Sequence, residues 1–445
     1  MTNLVTQGDT LHLYVTAGCD NCTAYLKALR PTSNSPSCWH ITHNHLLCHL
    51  RYFTKGSIVR ISTNVNIILY KPLKQSIDLP SFKCYTKKNQ LLSAICWERR
   101  PLSMNTTTSA NRNIGIDVLK YLCAFLVICL HTSFRGKTTV DTLARVAVPL
   151  FFMITGYYYT KVGEQKKGHL QLKRIFILTI FSNLCFFLLD IVTALLSSGD
   201  LSSVLTPWAD RNAVLKFIIF NERPGWSHLW YLGALLYALV LFTFLLKIKK
   251  TAKVYIFIPI LLCTNLILGN YSTLIFGHPL PISFSRNFLC MGLPFLLLGN
   301  FIYQYQDKIK LGNKTLFINL LLSVFTTQIE RLTLVHLGAY NNKDFFISTI
   351  FFATTLFLLV KNNPVWFHSR VFTKIGTLGK NLSLYIYILH PIIILAFTAL
   401  LEYVGKYFPI VHTIYFYTSP IVILFLSTIT GWVLWYFIQK LKKHP

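Results

Sequence analysis

The stretch Asn113-Ile114-Gly115-Ile116-Asp117-Val118-Leu119-Lys120-Tyr121-Leu122-Cys123-Ala124-Phe125-Leu126-Val127-Ile128-Cys129-Leu130-His131 decides how this chain is read. As a helix it is long enough to cross a hydrocarbon core of about 30 Å. Yet it carries an acid and a lysine near one end and a histidine at the other. Eleven residues separate Lys120 from His131, which on a helix is about 20° past three full turns and about 16 Å along the axis. The two therefore share a face, and Asp117 lies about 40° from His131 on it, one turn from Lys120. Ionisable groups inside a membrane span are costly to keep, which makes each a functional candidate.

Apolar segments of similar length recur along the rest of the chain. They read as 114–134, 143–160, 172–197, 228–247, 252–270, 286–305, 315–334, 343–361, 381–403 and 414–438. The seventh, with Gln328, Glu330 and Arg331, is the most polar of them. Segments this long and continuously apolar predict helices, since hydrocarbon admits only helices or closed barrels. The expected fold is an all-α polytopic bundle of about ten transmembrane helices. Leaving out Lys120, loops on the N-terminal side of the first span carry 20 of the Lys/Arg after residue 103, and loops on the other side carry 10. That asymmetry predicts both termini in the cytoplasm of a multi-pass cell-membrane protein.

Composition agrees. The chain has 445 residues, 53% of them hydrophobic and only 13% charged, with a formal net charge of +28. Its mean hydropathy is +0.48. Soluble proteins carry roughly twice that share of charged residues. A disordered chain is excluded, and so little solvated basic surface argues against a nucleic-acid partner.

Residues 1–103 differ from the rest of the chain. They hold six of the eleven cysteines, a net charge of +8, no apolar run long enough to span a bilayer and no clear helical or strand period. Cys19-x2-Cys22 has the spacing of a zinc-ligand pair, but Cys38, His40, His43, His45, Cys48 and His49 match no standard second half. No metal site is assigned. The expectation is an atypical extension whose upstream start is mis-called, with a functional domain over 104–445 beginning at Met104. The five later cysteines (Cys123, Cys129, Cys185, Cys263 and Cys290) all fall in spans, which suggests packing rather than disulfides.

The second span runs Arg145-Val146-Ala147-Val148-Pro149-Leu150-Phe151-Phe152-Met153-Ile154-Thr155-Gly156-Tyr157 and brings Thr155 and Gly156 to the depth of Asp117 and Lys120. A glycine there permits close approach of a helix or a ligand. His131 suits proton transfer near neutral pH, and a packing role is open to it as well. Asp117 and Lys120 read equally well as an interfacial pair with Lys120 snorkelling to the headgroups.

Together these spans resemble the acyltransferase 3 family of integral-membrane acyltransferases, many of which O-acetylate cell-surface glycans. The family's opening helix carries an acid, then Arg, ten residues, then His; Asp117, Lys120 and His131 stand in those places, with Lys for Arg. Its second helix has a proline and paired phenylalanines before Ser-Gly-Phe or Ser-Gly-Tyr, here Pro149, Phe151-Phe152 and Thr155-Gly156-Tyr157. Trp226-Ser227-His228-Leu229-Trp230-Tyr231-Leu232 is similar to the start of its fourth helix. Arg286-Asn287-Phe288 with Gly292-Leu293-Pro294-Phe295 and Gly299 resembles its sixth. Ser383-Leu384-Tyr385-Ile386-Tyr387-Ile388-Leu389-His390-Pro391 resembles the Tyr-rich segment with a terminal His. The likeness covers about 114–438 and none of residues 1–103. Lysine for arginine keeps the charge but loses the planar fork that grips phosphate.

The resemblance implies a cytoplasmic acyl-CoA donor, most often acetyl-CoA, and a carbohydrate hydroxyl as acceptor, with no tightly bound cofactor. It implies His131 as the catalytic base and Lys120, Asp117, Arg145, Thr155 and Gly156 as the donor-binding set, Arg145 being its weakest member because it sits near the outer end of its span. His228, Arg286, Tyr387 and His390 are then substrate or oxyanion candidates, unranked. Direct transfer and an acyl-histidine intermediate both stay open. A secondary transporter or flippase-like carrier of a lipid-linked sugar is the rival reading.

Overall fold

The computed structural model describes residues 113–441, apart from 165–167, 198, 221, 248–250 and 342–344, together with the backbone of seven short strands between Leu4 and Thr86. Those strands belong to a separate unit, Met1–Thr107. They pair in sequence order, antiparallel throughout except for the parallel pairing of Cys38–Ile41 with Ser57–Ile61. The expectation of no strand period there is thus corrected. Thr10–Thr16 alternates Leu11, Leu13 and Val15 with polar or aromatic residues, the period of two that a strand requires. The second cysteine and histidine cluster and the junction at Met104 lie outside the described side chains.

The second unit, from Thr108 onward, is helical among its described residues. Its helices are α1 (Ile114–His131), α2 (Lys137–Ala144), α3 (Ala147–Glu164), α4 (Gly168–Ser197), α5 (Ser202–Ala209), α6 (Arg211–Phe220), α7 (Trp230–Lys247), α8 (Thr251–Val254), α9 (Phe257–Leu268), α10 (Ser272–Phe276), α11 (Leu293–Gln304), α12 (Asn313–His336), α13 (Ile347–Asn362), α14 (Arg370–Gly405) and α15 (Ile410–Leu441). Each of the ten apolar segments overlaps one of the longer helices. Among the described residues, six stretches are long and apolar enough to cross a membrane, one each around α1, α3, α4, α7, α14 and α15. The helices Phe257–Leu268, Phe288–Gln304 and Ile347–Asn362 are apolar but shorter. The seventh segment forms α12, whose polar residues keep it out of the six.

Helix α1 sits at the centre. It packs most extensively along α14, and also against α2, α3 and α13. Helix α3 packs along α11, α12 along α13, and α14 along α15. Small residues allow the closest of these approaches. A Cβ on Gly379 of α14 would lie 1.8 Å from the Asp117 carbonyl oxygen, and one on Gly156 of α3 would lie 2.1 Å from that of Leu296. The core joins Ile116, Leu150, Phe152, Leu232, Phe295 and Phe357 from five different helices.

The outside is the reverse of a soluble protein's. Phe325 on α12 and Ile421 and Phe425 on α15 are each 64% exposed. Asn265, Asn300, Thr327 and Ser427 are buried. Apolar side chains outward and polar ones inward is the partition a hydrocarbon solvent imposes.

Candidate active site

At its C-terminal end α1 stops in an ordered way. Thr132 donates both its N–H and its hydroxyl to the Ile128 carbonyl, at 3.0 and 2.9 Å. The Lys137 ammonium donates to the carbonyls of Cys129 (3.1 Å) and Leu130 (2.9 Å) and approaches Asp141 at 3.4 Å. Helix ends leave such carbonyls without partners, and a cation there also meets the negative end of the helix dipole. Gly136, at φ +83°, takes the left-handed conformation that folds the chain back into α2. Helix α2 then presents Asp141, which accepts from Arg145 one turn on, at 3.0 Å.

This end of α1 opens on a cavity of about 260 Å3. Its polar wall is made by His131, Lys137, Asp141, Arg145, His228 and Arg286. Trp230 and Tyr387 add aromatic surface, with Val127, Leu130, Val148 and Met291 completing it. Asp117, Lys120, Thr155 and Gly156 are absent from that wall.

Two further histidines converge on His131 from distant parts of the chain. The His131 and His390 ring centroids are 5.0 Å apart, and those of His228 and His390 are 5.6 Å apart. His390 precedes Pro391 inside α14. Proline has no N–H, so the carbonyl four residues back, that of Tyr387, loses its helical donor. His390 Nδ1 lies 2.7 Å from that oxygen. A ring nitrogen facing a carbonyl carries the proton, which leaves Nε2 of neutral His390 as an acceptor. His228 sits in a tight turn, Ser227–Leu229, and its carbonyl accepts the Tyr387 hydroxyl. The Nε2 atoms of both His228 and His390 are buried with no hydrogen-bond partner among the described residues. Buried polar atoms are seldom left so, and each instance calls for an explanation.

Arg286 is held by the residue after it. The Asn287 side chain donates to the carbonyls of Ser283 and Phe284, both at 2.9 Å, and accepts from the N–H groups of Leu289 and Cys290, also at 2.9 Å. It thereby clamps the loop to the π-turn Phe288–Gly292 that opens α11. Such turns occur often at functional sites. The Arg286 guanidinium lies over the Trp230 ring, 5.6 Å from its centroid.

The N-terminal end of α1 is built differently. Lys120 pairs with Asp117 at 3.0 Å and its ammonium sits 5.4 Å from the centre of the Tyr158 ring. Thr155 donates to the Phe151 carbonyl at 2.8 Å, a contact within its own helix. Gly156 faces the α11 backbone. The structure thus brings Asp117 and Lys120 together as the helical spacing anticipates. It separates Arg145 from them. The resemblance groups Arg145 with Lys120, but α2 delivers it to the His131 cavity, paired with Asp141.

Several site residues escape a reading of the sequence. Lys137 and Asp141 fall in what reads as a polar break between spans, and Trp230 reads only as part of a motif. Asp190 is a different case: plain in the sequence as an acid deep in the third span, it accepts from Arg223 at 3.0 Å and from the Trp226 indole, so it anchors the loop that carries His228. Glu330, one of the polar residues of the seventh span, accepts from the N–H groups of Ile347 (2.8 Å) and Ser348 (3.0 Å). It caps α13 from a neighbouring helix.

The model of the acyltransferase domain matches residues 113–439, nearly the whole helical unit. The chain belongs to the acyltransferase 3 family. Within the curated proteins, this acyltransferase 3 chain is 25% identical over 329 residues to an amino-acid racemase of Enterococcus faecalis, covering 67% of the chain and 43% of that protein. It is 26% identical over 314 residues to a serine/alanine racemase of Enterococcus gallinarum, covering 63% of the chain and 40% of that protein. The chain therefore spans less than half the length of these relatives. No solved structure matches.

Proposed function

We propose that this protein is a multi-pass O-acyltransferase of the cell membrane, with ten spans and both ends cytoplasmic. It moves an acyl group, acetyl above all, from acyl-CoA to a hydroxyl of a cell-surface or lipid-linked carbohydrate. The observation that carries this reading is the position of His131, accessible from a cavity with two more imidazoles beside it. Family membership supports the same chemistry.

His131 removes the acceptor's hydroxyl proton as that oxygen attacks the thioester carbonyl. The tetrahedral intermediate collapses with cleavage of the carbon–sulfur bond, and the imidazolium returns its proton to the leaving thiolate. The products are an ester and free coenzyme A. The Tyr387 hydroxyl and the His390 Nδ1 proton are engaged by carbonyls. That favours Arg286 as the group facing the oxyanion. Asp117 and Lys120 serve the donor from the other end of α1, with Lys120 as the phosphate partner. The apolar helices α9, α11 and α13, and the outward Phe325 of α12, support the larger number of spans.

Purified protein in proteoliposomes, given acetyl-CoA labelled in the acetyl group and a carbohydrate acceptor, tests this. Covalent label in the carbohydrate is expected, and its loss in His131→Ala with the helical content unchanged. Undiminished labelling in that variant contradicts the role of His131. A second reading draws on the names of the curated relatives, which describe enzymes acting on amino acids. In it the helical unit carries such a ligand rather than acylating one. Movement of labelled serine across the vesicle wall without covalent transfer of acetyl would favour it.

A further inference from the structure

A histidine base works best when a second group fixes which of its nitrogens carries the proton. The carboxylate on the cavity wall, Asp141, already holds Lys137 and Arg145. On another side of His131 lies His390, fully buried and outside the cavity wall, with its ring centre 5.0 Å from that of His131. A ligand in the cavity does not reach it, so His390 can act on the chemistry only through a neighbour.

Its Nδ1 faces the Tyr387 carbonyl that Pro391 leaves without a helical donor. In the neutral ring that puts a lone pair on Nε2, which is buried with no partner among the described residues. Three polar rings lie near it: His131 at 5.0 Å, His228 at 5.6 Å and Tyr387 at 6.1 Å. Tyr387 donates its hydroxyl to the His228 carbonyl. One nitrogen of the His228 ring faces the Ile388 carbonyl, and Nε2 is the one without a partner. The nitrogen that faces a carbonyl carries the proton, so neutral His228 also offers only a lone pair. Of the three rings, His131 alone is left to donate. A straight N–H···N bond of about 2.9 Å between two imidazoles separates their centroids by about 5.2 Å. The observed 5.0 Å is of that size, so a turn of the His131 ring is enough to form the bond.

We infer that His390 is a positioning residue for the transfer: its Nε2 accepts an N–H from His131 and so keeps the lone pair of the other His131 nitrogen for the acceptor hydroxyl. This rests on the acyltransferase reading of the site. On taking the hydroxyl proton His131 becomes a cation, and its bond to His390 becomes charge-assisted. The bond weakens again when that proton passes to the leaving thiolate. His390 keeps its own proton on Nδ1 throughout and takes none. Because the bond is strongest in the transition state, it serves the chemical step rather than the binding of acetyl-CoA.

Two measurements on the full-length protein in lipid bilayers test this. Solid-state NMR with isotope labels at the histidine ring nitrogens reads the contact, the signals being assigned by their loss in His131→Ala and His390→Leu. A cross-peak between a protonated nitrogen of His131 and an unprotonated nitrogen of His390 is expected. A cross-peak from water to His390 Nε2 in its place would show that a buried water fills the role, and would overturn the inference. The second measurement is the steady-state rate of transfer from labelled acetyl-CoA to glucose. His390→Leu keeps the bulk and removes the acceptor. It should lower kcat by about 10- to 100-fold with the KM for acetyl-CoA nearly unchanged, the scale of a hydrogen bond to a charged group. His390→Gln, whose amide oxygen can stand in for Nε2, should recover most of that loss, which a purely space-filling role for His390 would not produce. An unchanged kcat in His390→Leu, or a His390→Gln variant as slow as His390→Leu, also overturns the inference. The expected cross-peak with no labelled product from the parent protein counts against the acyltransferase reading instead and leaves the imidazole pair standing.

Discussion

The two ends of α1 carry the same kind of material, ionisable groups of both signs, and use it in opposite ways. At the N-terminal end Asp117 and Lys120 close on each other at 3.0 Å, Gly379 brings α14 down onto the Asp117 carbonyl, and Gly156 seats α3 on α11. At the C-terminal end His131 faces open volume, and the Nε2 atoms of its two histidine neighbours have no partner among the described residues. One end pairs its charged groups with each other between closely packed helices. The other turns them toward a cavity, where buried nitrogen without a partner calls for an explanation. The contrast teaches that the helix is a fixed post, with the open cavity at one tip.

Substitutions at the two ends should therefore fail in different ways. The largest effect belongs to His131→Ala, which should lower acetyl transfer by about 10²-fold or more while leaving thermal stability near that of the parent. Next comes Gly379→Ala. The added Cβ meets the Asp117 backbone at 1.8 Å, so the two helices must separate, costing about 1–3 kcal/mol of stability as overpacking does. A melting curve in detergent would show it. An unchanged midpoint there would break the description of this end as a packing joint.

Pro391→Ala has a subtler consequence. The restored N–H competes with His390 Nδ1 for the Tyr387 carbonyl and frees the imidazole to turn. Acetyl transfer should fall about tenfold, the scale expected when one hydrogen bond to a reacting group is lost, with stability preserved or improved. The smallest effect is that of Lys120→Ala. Its pair with Asp117 is partly solvent-exposed, so stability should move by less than about 1 kcal/mol. The KM for acetyl-CoA should rise several-fold, with Lys120→Arg restoring it. A change confined to kcat would move Lys120 from the donor to the chemistry.

How far the sequence alone reaches follows the same division. The helices and the Asp117–Lys120 pair depend on local periodicity, and the spacing of three residues puts both side chains on one face whatever surrounds them. His131 is legible as a polar residue at a helix end for the same reason. The convergence of His228 and His390 on it is not, because their approach is set by how α14 packs along α1 and where the turn Ser227–Leu229 is held, and nothing within a short window records that. Lys137 and Asp141 are hidden by their setting in a short polar stretch, where basic and acidic residues are ordinary. Pro391 is plain in the sequence. Its meaning, a carbonyl released for the neighbouring histidine, emerges only once α14 is seen to continue through it. Glu330 is plain in the sequence as a polar residue of the seventh span, but its capping of the next helix depends on how α12 and α13 pack.

In the proposed mechanism donor and acceptor meet from opposite ends of α1, at His131. Sealed proteoliposomes of one protein orientation test that directly. Labelled acetyl-CoA is supplied to the face carrying the N-terminal end of α1, and a membrane-impermeant carbohydrate acceptor to the other. Label is expected to cross and become covalently attached to the acceptor, and His131→Ala to stop it. Transfer seen only when donor and acceptor share a face would contradict the mechanism.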